Sequence, residues 1–325
     1  MRILFDLRGV GLGNNGGSFT LVKSANTLQE LGHEVYMIDS GKNQHTWNKL
    51  ETPHIIARNI NKVPDADAII ATGYKSVQPT SKAPKRCGKK FHWIRGWELW
   101  QGSEKWIVDN VLQAPTNKIV NSICLQKKLK SFGVKSSIIR PGHDFNNFYP
   151  TEERDIYTLI LGGLYHTKHN TKRSDWAIRV AELLKKEYPI KLYMFGTNKN
   201  PNNPIIDKYL CQPDIDEKNC FFNEITIFMS PSCLEGLHIV PQEVMLTKCP
   251  VVTTDAEMSG TQDYIKHAKN GYVAHNNFKS FLSYVEYLCK VPELRKRMGE
   301  KSRQTILNMG DRKDNMKKMA RLLEK

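Results

Sequence analysis

The stretch Ser232-Cys-Leu-Glu-Gly-Leu-His-Ile-Val-Pro-Gln-Glu-Val-Met-Leu-Thr-Lys-Cys-Pro-Val-Val-Thr253 decides the fold of this chain. Just before it, residues 225–229 form a short apolar run with β-branched side chains, which predicts a buried strand. Gly236 permits a tight turn, and Pro241 suits the first turn of a helix. Residues 251–253 are again apolar and β-branched. The order strand, turn, helix, strand predicts an open α/β sheet.

Two glutamates bracket the turn in this stretch, Glu235 before the helix and Glu243 eight positions later within it. In open α/β sheets, ligands bind beyond the carboxyl ends of the strands, where helix N-termini also point. Amides at a helix start suit phosphate, and a carboxylate suits paired hydroxyls. A nucleotide sugar offers both groups. The alternative is a surface acid and a helix acid that are spaced by chance.

The glutamate pair, followed by Cys249-Pro-Val-Val-Thr253, resembles the donor site of retaining glycosyltransferases of family 4. The resemblance implies the GT-B fold, an α/β fold with two Rossmann-like parallel-sheet domains facing an interdomain cleft. It implies that Glu243 binds the ribose hydroxyls and that Glu235 holds hydroxyls of the donor sugar. The amides that it implies for the diphosphate are those of Gly236, Leu237, His238 and Ile239.

Length and composition favour a globular cytoplasmic protein. The 325 residues allow two domains, and 40% of them are hydrophobic. No run reaches membrane-spanning length, and the first residues predict a strand rather than a signal peptide. The seven cysteines are scattered without a C-x2-C pair, so we expect reduced thiols and no structural zinc.

The formal charge of +15 suits an anionic donor, an anionic membrane surface or a nucleic acid. The basic residues are spread along the chain, which is typical of a solvated surface. The charge therefore allows peripheral association with the inner face of a membrane without requiring it.

The N-terminal part begins with a strand at residues 2–7, a glycine-rich loop at 8–18, a helix at 19–31 closed by Gly32, and a strand at 34–38. This is the βαβ start of a Rossmann-like domain. The loop does not match G-x-G-x-x-G. Its position resembles the first βα unit of family 4, which implies that Gly16 and Gly17 face the donor phosphate and the acceptor.

The strand predicted at residues 89–93 runs into Ile94-Arg-Gly-Trp-Glu-Leu-Trp100. Its carboxyl end should also reach the ligand, and aromatic side chains there could stack on a sugar or a base. The family resemblance implies that His92 contacts the donor sugar or the acceptor. Arg95, Trp97 and Glu98 are candidates for selecting the acceptor. A purely structural aromatic cluster is the alternative.

Residues 141–150, Pro-Gly-His-Asp-Phe-Asn-Asn-Phe-Tyr-Pro, resemble the hinge of the family, although one residue is missing and His143 replaces a valine. We therefore expect an acceptor-side Rossmann-like domain at residues 1–148 and a nucleotide-sugar-binding Rossmann-like domain at 149–308. The resemblance implies that a C-terminal helix at 309–325 crosses back to the first domain.

After a strand predicted at residues 157–161, the family has G-R-L and then a lysine before a helix. Here Gly163 stands in place of the arginine. Lys168 and Lys172 compete for the role of the lysine, and Arg173 could replace the missing arginine. These cations would neutralise the donor diphosphate and its leaving group. The alternative is a solvated basic loop.

The resemblance to family 4 implies a retaining, metal-independent glycosyltransferase that uses a UDP- or GDP-sugar as donor substrate and has no cofactor. The candidate catalytic residues are Glu235, Lys172 and His92. The acids of Asp65-Ala-Asp67 precede a strand and so lie at the wrong end for a metal–diphosphate site.

The acceptor is predicted to be a saccharide or a lipid-linked glycan. One alternative is a hydroxymethylpyrimidine in DNA, with stacking on Trp93, Trp97 and Trp100 and basic residues at 82–90. A further alternative is a non-catalytic protein that binds nucleotide sugars or polyanions, which the glycine at 163 would favour.

Overall fold

The computed structural model describes residues 1–13, 15–41, 49–152, 154–167, 170–255 and 258–325. These residues divide into two compact units. The first unit comprises Met1–His143 with Gly310–Lys325, and the second comprises Asp144–Met309. Each unit contains one β-sheet in which all pairings are parallel.

The first unit has a seven-stranded sheet in the order β3-β2-β1-β4-β5-β6-β7. Its strands and helices are β1 Arg2–Asp6, α1 Gly16–Glu30, β2 Glu34–Asp39, β3 His54–Ile56, β4 Ala68–Ala71, α2 Tyr74–Ser81, β5 Lys89–Ile94, α3 Glu104–Ile107, β6 Asn117–Val120, α4 Ile123–Ser131 and β7 Ser137–Ile138.

The glycine-rich loop of the first unit leads into α1. The Asn15 side chain caps this helix by accepting a hydrogen bond from the amide of Ser18 at 2.9 Å. Gly32, just beyond the helix, has a φ of 88°, a conformation that glycine adopts without strain. The helix of the predicted βαβ start therefore begins three residues before the predicted Phe19, and Gly32 closes it as the sequence indicates.

The second unit has a six-stranded sheet in the order β10-β9-β8-β11-β12-β13. Its strands and helices are β8 Ile160–Leu164, α5 Ser174–Leu184, β9 Lys191–Gly196, β10 Lys208–Cys211, α6 Ile215–Glu224, β11 Ile227–Ser230, α7 Ile239–Leu246, β12 Val251–Thr253, β13 Tyr272–Val273, α8 Phe278–Lys290 and α9 Pro292–Asn308. The prediction of an α/β chain with two Rossmann-like parallel sheets is confirmed.

Strand β8 begins three residues later than predicted from the sequence. Asp155 forms a turn in which its side chain accepts from the Tyr157 amide at 2.8 Å, and Tyr157 is 75% exposed. The strand instead includes the glycine pair at 162–163. A Cβ atom on Gly162 would lie 2.5 Å from the Ile225 side chain, so the close packing of this strand requires glycine.

The last helix of the chain, α10 Arg312–Glu324, belongs to the first unit. Its apolar side chains pack into the same core as Phe5 and Trp93. The residues that it contributes are Met316, Met319, Ala320 and Leu323. The first unit is therefore built from two separated parts of the chain.

In the ranges that the structure describes, no helix combines the length and the apolar character needed to cross a bilayer.

Replacing Gly299 in α9 by alanine should destabilise the second unit. A Cβ atom there would lie 2.0 Å from the carbonyl oxygen of Lys248, so the helix would have to move away from the end of α7. Overpacking of this kind costs about 1–3 kcal/mol. Urea unfolding should show the loss, whereas Glu300→Ala on the exposed face of α9 should leave the free energy of unfolding nearly unchanged. Equal stability of the two variants would contradict the expectation.

Candidate functional site

Three loops meet at the carboxyl edge of the second sheet, after β8, β11 and β12. The amide of Cys233 donates to the carbonyl of Thr171 at 2.9 Å, which joins the first two loops. Gly260 has a φ of 67°, and a Cβ atom on it would lie 2.8 Å from the Cα of Leu237. The loop after β12 therefore supports the start of α7 by a close approach that only glycine allows.

Glu235 lies at the centre of this edge. Its carboxylate forms an ion pair with the ammonium of Lys172, and its amide donates to the carbonyl of Met258. The imidazole Nε2 of His238 is 3.6 Å from Glu235 Oε1 and 2.8 Å from Ser230 Oγ. The structure thus brings together two of the predicted catalytic residues, Glu235 and Lys172.

The environment of Glu235 keeps it ionised. Burial raises the pKa of the carboxyl, but the Lys172 ammonium and the neighbouring His238 and Ser232 outweigh burial, so that the pKa lies below its ordinary value. Lys172 is about one quarter exposed and Glu235 is more enclosed, at 27% and 14% of their side chains. The result is a partly screened charge pair at a sheet edge that suits hydroxyl and phosphate ligands.

His238 precedes α7 in a left-handed backbone conformation, with φ 58° and ψ 73°. Such a conformation is uncommon for residues other than glycine, although asparagine, aspartate and histidine adopt it more often than most. The residue is held by the Tyr264 hydroxyl, which donates to its carbonyl at 3.1 Å, and by the hydrogen bond between its imidazole and Ser230. Its ring is buried, and burial lowers its pKa to about 4. The imidazole is therefore neutral at neutral pH.

The low pKa of His238 predicts a loss of stability in mild acid. The unfolded imidazole titrates near 6.5, so between pH 6.5 and 4 the unfolded state binds more protons than the folded state. The free energy of unfolding should fall by an amount on the order of 3 kcal/mol as pH drops through this window.

Urea unfolding from pH 7.5 to 4.5 measures this dependence. His238→Asn should have a shallower slope, because asparagine tolerates the left-handed conformation and does not titrate there. Identical slopes for wild type and His238→Asn would contradict the assignment.

Glu243 lies within α7 and is 4% exposed. Its Oε2 accepts a hydrogen bond from the ammonium of Lys218 at 2.8 Å. Lys218 comes from α6 and was not singled out by the sequence. The sequence signal for it is weak, because it is one lysine in the polar first turns of a surface helix.

The basic residues before α5 separate into two groups. Arg173 donates to the Asn276 side chain, and its guanidinium lies 4.7 Å from the ring of Trp176. Arg173 therefore has other partners than Glu235, whereas Lys172 contacts the Glu235 carboxylate. Lys168, the other candidate for the lysine role, falls outside the described residues.

Gly163 occupies the position at which the family has arginine, and it faces the core of the second unit. A Cβ atom there would lie 3.2 Å from Met194 and 3.5 Å from Ala177. In this chain, a longer side chain at residue 163 would enter the packing between β8, β9 and α5. The glycine at this position therefore lies against the side chains of Met194 and Ala177.

The predicted amides of the diphosphate site lie at the turn into α7. Gly236 and Leu237 follow Glu235 in the loop, His238 is the cap, and Ile239 is the first helical residue. Gln242 fixes the turn, because its side-chain amide donates to the carbonyl oxygens of Leu237 and His238 at 3.0 and 3.3 Å.

In the first unit, Gly16 and Gly17 form the exposed start of α1. Arg95, from the loop after β5, donates to the carbonyl of Gly17 and to that of Thr72, the latter at 3.0 Å. Burial lowers the pKa of Arg95 to about 10, so the side chain remains charged at neutral pH. The carboxyl edge of this sheet thus carries the helix start and a cation that is tied to it.

His92 is fully enclosed in the first unit, with an exposure of 0%. Among the described residues, neither ring nitrogen has a hydrogen-bond partner, and burial holds the pKa of the imidazole well below its ordinary value. This enclosed position does not fit the predicted contact with the donor sugar or the acceptor. The sequence could not show it, because a strand residue near the carboxyl end can point into the core as well as toward a ligand.

The tryptophans of strand β5 and of the loop after it differ in exposure. Trp93 is 0% exposed and donates through Nε1 to the Ile139 carbonyl at 3.1 Å, and Trp97 is 3% exposed and stacks on Phe132. Trp100 is 66% exposed. The structural alternative therefore holds for Trp93 and Trp97, and Trp100 is the tryptophan that can stack on a ligand.

Glu98 caps the neighbouring helix α2. Its Oε2 accepts a hydrogen bond from the amide of Tyr74 at 3.1 Å, and burial raises the pKa of its carboxyl. This contact satisfies the helix start, so Glu98 has a structural role alongside any contact with an acceptor.

The aspartates of the D-x-D sequence lie at the amino end of β4. Asp65 pairs with Arg86 at 2.8 Å, and Asp67 accepts from the Arg2 amide at 2.7 Å. Within the described ranges, no group of three or more His, Cys, Asp or Glu side chains could hold a metal ion.

The family described as Glycosyl transferases group 1 matches residues 156–291, which lie within the second unit. The match includes Lys172, Glu235 and Glu243. The described site of the second unit therefore lies within the residues that this family model matches.

Two curated relatives match parts of the chain. An uncharacterized glycosyltransferase of Haemophilus influenzae is 27% identical over 155 residues, which are 45% of this chain and 42% of that protein. The capsular polysaccharide biosynthesis glycosyltransferase CapM of Staphylococcus aureus is 24% identical over 205 residues, or 63% of this chain and 43% of that protein. The chain spans less than half the length of either relative.

Solved structures match the whole chain. Anabaena Alr3699/HepE, solved in complex with UDP-glucose, has a TM-score of 0.81 with 14% identity, covering 99% of both chains. At this identity the likeness shows the fold alone. The chain has the fold of GT-B glycosyltransferases, as the sequence predicts.

Proposed function

We propose that this protein is a retaining glycosyltransferase that moves a sugar from a nucleoside diphosphate sugar to an acceptor hydroxyl without a metal ion. The observation that carries the proposal is the ion pair between Lys172 and Glu235 at the carboxyl edge of a parallel sheet, within a group 1 glycosyl transferase region. Glu243, the second glutamate of the motif that begins with Glu235, lies on α7, which starts at the same edge.

The residues suggest a division of tasks along the donor. Glu235 would hold hydroxyls of the sugar, the amides at residues 236–239 would support the diphosphate, and Glu243 would bind the ribose. Lys172, next to Glu235, would stabilise the charge that grows on the leaving phosphate. In the transfer, the bond between the anomeric carbon and the phosphate oxygen breaks, and a bond to the acceptor oxygen forms on the same face. The proton of the acceptor passes to the leaving phosphate.

The donor is proposed to be a UDP- or GDP-sugar. A uridine nucleotide has support from the structural neighbour Alr3699/HepE, which binds UDP-glucose. The acceptor is proposed to be a saccharide or a lipid-linked glycan, in line with the polysaccharide biosynthesis role of CapM.

Product analysis tests the proposal. The full chain is incubated with a panel of UDP- and GDP-sugars and glycan or lipid-linked acceptors, products are detected by mass spectrometry, and the anomeric configuration is determined by NMR. We expect transfer with the same anomeric configuration as the donor and no loss of rate in EDTA. An inverted product, or a rate abolished by EDTA, would refute the corresponding part of the proposal.

The two alternatives have less support. A DNA acceptor would use stacking aromatics, but Trp93 and Trp97 are buried. A non-catalytic protein would be indicated by donor binding without hydrolysis or transfer, and the presence of both glutamates, Glu235 and Glu243, argues against it. Salt-dependent binding to hydroxymethylated DNA, with transfer to it, would restore the first alternative.

A further inference from the structure

Lys218 lies at an unfavourable end of its helix. It is the fourth residue of α6, which is capped by Asp214 and has Asp216 and Glu217 in its first turn. A lysine at a helix N-terminus opposes the helix dipole, which favours negative charge there. A carboxylate contact from outside α6 offsets this effect further.

Glu243 provides this contact. The ammonium of Lys218 lies 2.8 Å from Glu243 Oε2, and the two side chains are 19% and 5% exposed. The ammonium also lies 5.0 Å from the ring centre of Phe148 and 5.8 Å from that of Phe222. Contact with aromatic faces and a carboxylate holds the cation in one place.

The second carboxylate oxygen of Glu243, Oε1, is not bound by Lys218. Within the part of the chain that the structure describes, Glu243 Oε1 accepts no side-chain hydrogen bond, although the residue is 4% exposed. Oε1 is not one of the fully enclosed side-chain oxygens of the described residues that lack a partner, so it is accessible to a hydrogen-bond donor from a ligand. A hydroxyl group is a donor of the right kind.

We infer that Lys218 is a positioning residue of the donor site, which holds Glu243 through Oε2 so that Oε1 can accept a hydrogen bond from a ribose hydroxyl of a nucleoside diphosphate. The inference rests on the proposed function, in which Glu243 binds the ribose. According to this inference, α6 contributes to nucleotide recognition through Lys218, a residue outside the sequence motif that contains Glu235 and Glu243.

Binding of ribose and dideoxyribose nucleotides to three variants tests the inference. Lys218→Met removes the charge and keeps the length of the side chain, and Lys218→Arg keeps the charge. Lys208→Met is the matched control, because Lys208 also pairs with a carboxylate, Glu224 at 2.6 Å, and lies over a ring, Tyr193 at 5.3 Å, but at a more exposed position. Calorimetry measures the affinity for UDP, GDP and their 2′,3′-dideoxy analogues.

We expect Lys218→Met to weaken binding of the better ribonucleotide about tenfold and to leave binding of its dideoxy analogue unchanged. Lys218→Arg should recover most of the loss, and Lys208→Met should bind like the wild type. Equal weakening of both nucleotides would show a structural role, and unchanged or tighter ribonucleotide binding would show that Lys218 does not position Glu243. Either result overturns the inference.

Nucleotide binding by the wild-type chain distinguishes a failure of this inference from a failure of the proposed function. If the wild-type chain binds neither UDP nor GDP, nor any of their sugars, the proposed function fails and the inference fails with it. If the wild type binds a ribonucleotide and discriminates against the dideoxy form, the function stands and the variants alone decide the role of Lys218.

Discussion

Replacing Lys172 by methionine is expected to lower the rate of sugar transfer about a hundred- to a thousandfold, the range seen when a preorganised charge-stabilising group is removed from an active site. Lys172 forms an ion pair with Glu235, so its ammonium already lies at the predicted sugar–phosphate junction. When the glycosidic bond breaks, negative charge grows on the phosphate, and no other described cation contacts Glu235 as closely. The loss should appear in kcat more than in the affinity for the free nucleotide.

Initial rates with saturating donor, together with calorimetry of nucleotide binding, measure the two effects separately. Lys185→Met is a suitable control. Lys185 lies in the same unit, pairs with Asp207 at 2.7 Å, and is 24% exposed, close to the 27% of Lys172. If Lys172→Met retained more than about a tenth of the wild-type rate, the proposed role in leaving-group stabilisation would be wrong.

Replacing Glu243 by alanine should weaken donor binding about ten- to a hundredfold, because a hydrogen bond to a charged group contributes about 1.5–3 kcal/mol. The nucleotide and the nucleotide sugar should lose affinity equally, since both carry the ribose that Glu243 would bind. By contrast, Glu235→Ala should affect the nucleotide sugar more than the free nucleotide. This contrast separates the two acids, and calorimetry with both ligands measures it.

The alanine variant also leaves the ammonium of Lys218 without its carboxylate, which by itself costs stability. A double variant with Lys218→Met removes the unpaired charge and serves as the control. If the double variant bound the nucleotide like the wild type, the loss in Glu243→Ala would reflect the buried charge, and the role of Glu243 in ribose binding would be rejected.

The fold could be predicted from the sequence because its strands and helix ends are marked by short local sequence patterns. The apolar β-branched runs predict strands, and β12 is observed at Val251–Thr253, the residues predicted. Gly32 marks the end of α1, whereas the start of this helix, capped by Asn15, lies three residues before the predicted Phe19. Strand β8 was misplaced because Gly162 and Gly163 have little strand propensity, and the packing that favours glycine at residue 162 involves Ile225, which is far away in sequence.

Residues of the site could be predicted from the sequence only where each belongs to a local sequence pattern. Glu235 and Glu243 belong to one motif, and Lys172 was found as a lysine before a helix. Lys218 contacts Glu243 from a different helix, and nothing in its own neighbourhood indicates that pairing. His92 shows the converse problem, because the sequence placed it on the right strand but could not show that its ring is enclosed.

The return of α10 to the first unit has a consequence for biosynthesis. A ribosome completes Asp144–Met309 before it makes Arg312–Glu324, so the second unit has all of its residues while the first still lacks a helix of its core. Domains usually fold in the order of their synthesis. Here the first unit can complete its core only after the second unit has been synthesised, and until then this core lacks Met316, Met319 and Leu323.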